Sequence, residues 1–173
     1  MASVQISKEE MLKRVALFKE LQPSRQAFVD SLIPEHERAI FNVIGRGVTE
    51  DASLRPAITD ARDFNLTLVQ AESGKGAALH SHTTVEVFIP LSGEWSIYWG
   101  DNGEDEVILG PWDTVSVPPG IMRGFRNVGS EGGYLMAILG GTDAGRVGWA
   151  PQVLERAKET GLQLDEQGNL VHK

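Results

Sequence analysis

From Asn65 to Gly141 the chain is a succession of short segments, rich in β-branched and aromatic residues and closed by Gly, Pro, Asn or Asp: NLTLVQAES, VEVFIPLSG, EWSIYWG, EVILG, DTVSVPPG, GFRNVG and YLMAILGG. Segments of this length and composition, bounded by turn formers, read as β-strands. Asp101-Asn102-Gly103 between Ile97-Tyr98-Trp99 and Glu106-Val107-Ile108 is a hairpin signal, because such turns need the left-handed conformations that Asn and Gly tolerate. Strands at this spacing predict an all-β sandwich, jelly roll or small barrel. The 19 glycines and 8 prolines among 173 residues supply the turns.

The flanks read differently. Ser7 followed by Glu10 is a capping-box pattern, and Met11, Val15, Phe18 and Leu21 recur at helical spacing until Pro23 stops them. Their apolar face is expected to pack on the domain body or on a second subunit. Residues 24–63 hold Pro34, Gly45, Gly47 and Pro56 and predict irregular chain with short helical or extended pieces. After Trp149-Ala150-Pro151 a final helix is expected to about Thr160, stopped by Gly161 and followed by a polar tail. The organisation read from these changes is an extension over 1–63 packing on the barrel, the barrel over 64–149, and a terminal helix and tail over 150–173.

A net charge of −8, with no cluster of Lys and Arg, argues against nucleic acid and anionic lipid as partners. Without cysteine there is no disulfide, thiolate ligand or thiol nucleophile. MASVQISKEEMLKRVALFKE has charges throughout, and no run approaches the ~18 apolar residues of a membrane span, so a cytoplasmic protein is expected. Gly45-Arg-Gly47 and Gly140-Gly141 lack the strand-to-helix context of a nucleotide loop and read as turns.

Two of the four histidines, His80 and His82, flank a single serine. On an extended strand they project from one face, with Leu79 and Ser81 on the other. Glu86 and Phe88 share a face of the next strand. If the two strands are neighbours, two imidazoles and a carboxylate converge, a donor set suited to Fe(II), Mn(II), Ni(II) or Zn(II). His-x-His alone is a weak pattern, since single strand histidines are commonly structural.

The wider spacing is more specific. Gly74, five residues, His80-x-His82, three residues, Glu86, six residues and Gly93 resemble the first motif of the cupin superfamily at every fixed position. Asp113-Thr-Val-Ser-Val-Pro118-Pro-Gly120, with Asn127 beyond, resembles the second motif. The resemblance covers roughly 64–140. It implies a double-stranded β-helix (jelly-roll) barrel, with the two His and the Glu binding a divalent metal inside, and it suggests a homodimer. It also marks a departure: where the second motif normally supplies another histidine, this chain has Arg123, and Trp112 stands where a Gly usually precedes the Asp.

A guanidinium has five donors and no acceptor, so Arg123 cannot ligate a metal. Three arrangements follow. Metal binds through His80, His82 and Glu86 while Arg123 anchors an anionic substrate; or Arg123 pairs with Glu86 and displaces metal; or Arg123 points out of the barrel. Like unit charges ~5 Å apart cost about 3 kcal/mol at an effective dielectric near 20, which supports the second. Alternation of Arg123, Phe125 and Asn127 against Gly124 and Arg126 disfavours the third, and retention of both histidines favours the first. Phe88, Trp95, Tyr98, Trp99, Phe125, Leu135 and Ala137 are candidate pocket residues, whereas Trp112 and Trp149 are too isolated to assign. The functional expectation is a metal-dependent enzyme, oxygenase-like (a dioxygenase-type oxidoreductase) with Fe2+ or Mn2+ favoured over Zn2+ or Ni2+, acting on a small anionic molecule. The alternatives are a metal-dependent isomerase or decarboxylase, and a non-catalytic binding or sensory module, metal-free with an Arg123–Glu86 ion pair.

Overall fold

The structure is a computed structural model and describes residues 3–173. The expected strand segments, joined by residues 39–44 and 148–149, form two antiparallel five-stranded sheets. One orders β1 (Ala39–Ile44), β2 (Phe64–Ala71), β9 (Gly133–Gly140), β4 (Glu86–Pro90) and β7 (Val115–Val117). The other orders β10 (Gly148–Trp149), β3 (Gly76–Ser81), β8 (Arg123–Asn127), β5 (Trp95–Trp99) and β6 (Asp105–Leu109). This is the double-stranded β-helix, with few helices. Asp101-Asn102-Gly103 joins β5 to β6 as expected, with Ile97 opposite Val107 and Tyr98 opposite Glu106.

Alternation puts one face of each strand into the barrel. Along β9 Leu135, Ala137 and Leu139 are buried while Met136 and Ile138 are half-exposed. Val69, Phe88, Trp95, Ile97, Phe125 and Leu135 share the central core, each aromatic ring removing a large apolar area from water. The outer face of β3 is covered as well. Ala78 and Leu79 pack with Val29, Ile33, Leu162 and Val153 and Ala157 of α2 (Pro151–Glu159). A strand enclosed on both faces reads as near-continuous small and apolar residues, as GAALHS does.

The extension and the tail differ from the expectation in three ways. The N-terminal helix, α1, is confined to Lys8–Leu12, closed by the expected Ser7–Glu10 capping box. None of its residues is buried, and so short a helix has only its cap to hold it. Met11, Val15 and Phe18 stay about half exposed, at 49%, 50% and 48%, although Phe18 also meets the rings of Phe41 and Tyr134. Second, residues 39–44 form a barrel strand, β1, paired along β2. Third, the polar tail is a hairpin of β11 (Leu162–Leu164) and β12 (Leu170–His172), whose Leu162 is fully buried beside α2. Among the described residues no helix is long and apolar enough to cross a membrane.

Candidate metal centre

His80 lies on β3 and Glu86 on β4, and these strands belong to opposite sheets. The three side chains therefore meet across the barrel interior and not between neighbouring strands as the sequence suggested. His82, one residue past the end of β3, completes the set. All three are buried, and one donor atom from each lies within 4.8 Å of the others.

A β-bulge aims His80. Ala77 pairs with Phe125 but His80 pairs with Arg123, so β3 carries one residue more than β8 between these points. Ala77 consequently joins the inner core, Ala78 and Leu79 the outer cluster, and His80 returns to the interior. The bulge interrupts the ladder, and its backbone groups find other partners. The Tyr98 hydroxyl donates to the Ala77 carbonyl at 2.6 Å. The Ala78 amide donates to Asp30 Oδ2 at 3.0 Å, and His80 Nδ1 lies 2.7 Å from the Ala78 carbonyl. A carbonyl only accepts, so His80 Nδ1 carries the proton and Nε2 keeps its lone pair for a ligand. Tyr98 needs room above β8: a Cβ on Gly124 would lie 2.3 Å from its ring.

Asp30 is held in turn by Arg38. The guanidinium grips the carboxylate through two bonds of 3.0 and 2.9 Å, with both groups almost wholly buried. Arg38 Nη1 also donates to the carbonyls of His36 and Gly76. Residues of the extension thus fix the bulge that orients His80. Neither Asp30 nor Arg38 stands out in the sequence, because no local pattern marks a partner this distant.

Arg123 is completely buried on β8 and faces the interior, so the outward arrangement is absent. Its Nε donates to Glu86 Oε2 at 3.0 Å and its Nη1 to the Ile121 carbonyl at 2.8 Å, whereas Nη2 has no partner. His82 Nε2 lies 3.4 Å from the same Glu86 oxygen, and His82 Nδ1 is also unpartnered. Burial pushes the Glu86 carboxyl up to about 7, with the Arg123 charge opposing. Burial, then the charge of Arg123, pushes His82 down to about 3, although the nearby Arg146 backbone favours its protonated form. His80 is pushed well below the usual imidazole range by burial first, then by His82 and Arg123. Both imidazoles are therefore neutral at neutral pH, the form that ligates metals. Two neutral imidazoles, one carrying an unsatisfied buried ring nitrogen, and a carboxylate with lone pairs to spare fit a divalent cation. The residues could hold one.

The three residues open onto a cavity of about 40 Å³. Its wall is mainly apolar, with Phe28, Ile40, Val69 and Leu139, and it includes Arg38, Thr49 and Thr67. Phe125 and Ala137 line it, as the sequence suggested. Phe88, Trp95 and Leu135 are fully buried in the adjoining core. Tyr98 packs in the outer cluster behind β3, and Trp99 is half-buried opposite Arg123. Arg123 lies beside Glu86 and is not on the wall, where the arginine is Arg38. Trp149, unassigned from sequence, covers the histidines from β10: its ring centroid is 5.4 Å from that of His80, and its indole N–H donates to Glu50 Oε1 at 2.6 Å. The buried Glu50 also accepts from the Val29 amide at 2.7 Å. Trp112 is 74% exposed.

Residues 67–139 match the sequence profile of the cupin domain, so the barrel is a cupin domain. A cupin 2 domain-containing protein from Halorhodospira halophila is similar in structure, with TM-score 0.54 and 19% identity, covering 71% of this chain and 77% of that one. An RmlC-like cupin from Shewanella frigidimarina gives 0.50 and 13%, covering 73% and 88%. The polyketide cyclase RemF from Streptomyces resistomycificus gives 0.58 and 12%, covering 84% and 96%. At these identities the likeness is one of fold. Curated proteins give no match.

Proposed function

We propose that this protein binds a divalent metal through His80, His82 and Glu86 and acts as an enzyme on a small anionic molecule. The observation that carries the reading is the convergence, within 4.8 Å, of ligating atoms from two histidines and a glutamate on a buried cavity. Fe2+ or Mn2+ suits a set of two His and one carboxylate, and Zn2+ or Ni2+ can use it too. A bound cation would supply Lewis acidity, or a redox couple with iron or manganese, at positions the protein leaves open. The chain's own residues hold the ligands: Ala78 fixes the His80 tautomer, and Arg123 keeps Glu86 in place. An anion in the cavity would meet Arg38 on the wall, and Arg123 only if its side chain turned from Glu86. An oxygenase, an isomerase and a decarboxylase all suit such a centre, and the fold does not choose among them.

One observation favours a metal-free binding module instead: the 3.0 Å bond from Arg123 to Glu86 places a fixed cation where a metal's charge would be felt. Elemental analysis of protein purified without added metal separates the two. Stoichiometric Fe, Mn, Ni or Zn, lost in His82→Ala while the variant stays folded, supports the metal centre, and loss of turnover along with the metal supports the enzyme. Failure to retain or take up any of the four supports the metal-free module.

A further inference from the structure

The cavity at the histidines is small. At about 40 Å³ it has room for a few small atoms and not for a ring-sized ligand beside the three side chains. Beyond it lies a much larger and more polar basin of about 670 Å³, formed by the turn after β1, the run before β10 and the β11–β12 turn. Val48, Thr49 and Val147 line both spaces, so they stand between them. Val48 sits on the first of these loops and Val147 on the second, each half-buried.

A buried residue from β2 braces the loops that carry the two valines. Asn65 Oδ1 accepts from the Gly47 amide at 3.1 Å, and its Nδ2 donates to the Gly141 carbonyl at 2.9 Å. One side chain therefore holds the turn carrying Val48 and the start of the run that leads to Val147. Asn65 is 3% exposed, and Gly45 lies so close that a Cβ there would fall 1.9 Å from Asn65 Oδ1. Thr49 is fixed separately, at 2.9 Å from Asn42 Nδ2.

We infer that Val48 and Val147 are a size filter between the outer basin and the histidine chamber. The ligand at the chamber is then a molecule ending in a slender polar group, no bulkier than a carboxylate and set off from any ring or branch by an unbranched spacer, whose polar remainder stays in the basin. Thr49 and Asn65 hold the aperture. This rests on the reading of His80, His82 and Glu86 as a metal site, which it refines by fixing what can reach the metal.

The test uses protein loaded with Co(II), whose visible absorption bands shift when an exogenous ligand coordinates. Formate is expected to shift the bands of the wild type, and benzoate, which carries the same carboxylate on a ring, is expected to leave them unchanged. In Val48→Ala and Val147→Ala benzoate should bind within roughly tenfold of formate, a gap of about 1.4 kcal/mol or less. Coordination of benzoate by the wild type as readily as formate overturns the filter. So does a cutoff that neither variant relaxes. Failure of Co(II) to bind at all removes the metal reading itself, a different outcome from binding without size selection. The wild-type comparison stands even if a variant folds poorly.

Discussion

Replacing Asp30 with alanine tests the support beneath the candidate site. The Asp30 side chain is 0% exposed and that of Arg38 2%, so solvent screens neither. The substitution leaves a buried guanidinium without its carboxylate, which costs about 3–5 kcal/mol. It also deprives the Ala78 amide of its acceptor, a further cost of about 1–3 kcal/mol that overlaps with the first. A net loss of about 4 kcal/mol in a chain of this size lowers Tm by roughly 8–16 °C. Urea titration followed by tryptophan fluorescence, with calorimetry alongside, measures both quantities. The loss should be nearly the same at low and high salt, because a buried pair is little screened. Adding Arg38→Met removes the stranded charge, so Asp30→Ala/Arg38→Met should be more stable than Asp30→Ala alone. A loss under about 1 kcal/mol for Asp30→Ala, or a double variant no better than the single, would refute the reasoning.

Two further predictions concern the same region. Gly76→Ala should cost about 3 kcal/mol or more in denaturant unfolding, since its Cβ would lie 1.8 Å from the Phe125 carbonyl oxygen. Gly74→Ala, with no atom within 4 Å of a Cβ, should cost only about 1–2 kcal/mol through its φ of +80°; equal losses would show that backbone contact is not the cause. Glu50 has its carboxyl pushed up by burial from 4.5 to about 7, so its contribution to stability is complete below pH 4.5 and is lost as pH rises through 7. The wild type should therefore lose about 3 kcal/mol relative to Glu50→Gln across that window, and a gap that stays constant with pH would contradict it.

Much of the barrel was legible because its signals are local. Alternation along YLMAILGG gave the inward set Leu135, Ala137 and Leu139, and the hairpin at Asp101-Asn102-Gly103 needed only turn chemistry. The N-terminal stripe Met11, Val15 and Phe18 has equally regular spacing, yet the helix stops at Leu12, since periodicity supplies an apolar face but no surface to bury it. The hairpin in the tail carried a visible signal in LQLDEQGNLVH, two short apolar runs about a Gly-containing turn.

What the sequence determined by itself was the run of barrel strands from Asn65 to Gly140, the shared face of Glu86 with Phe88 and of Arg123 with Phe125 and Asn127, and the donor types on offer. Each follows from a side chain's position along its own strand. Tertiary structure alone decided that the ligands come from opposite sheets, that a bulge at Ala78–Leu79 returns His80 to the interior, and that Asp30, Arg38, Glu50 and Trp149 surround it. It also decided that Arg123 meets Glu86 at 3.0 Å. Such pairings depend on which strands face each other across the barrel, and the closing of the sheets sets that relation over tens of residues of chain, beyond the reach of any repeat of two or three positions.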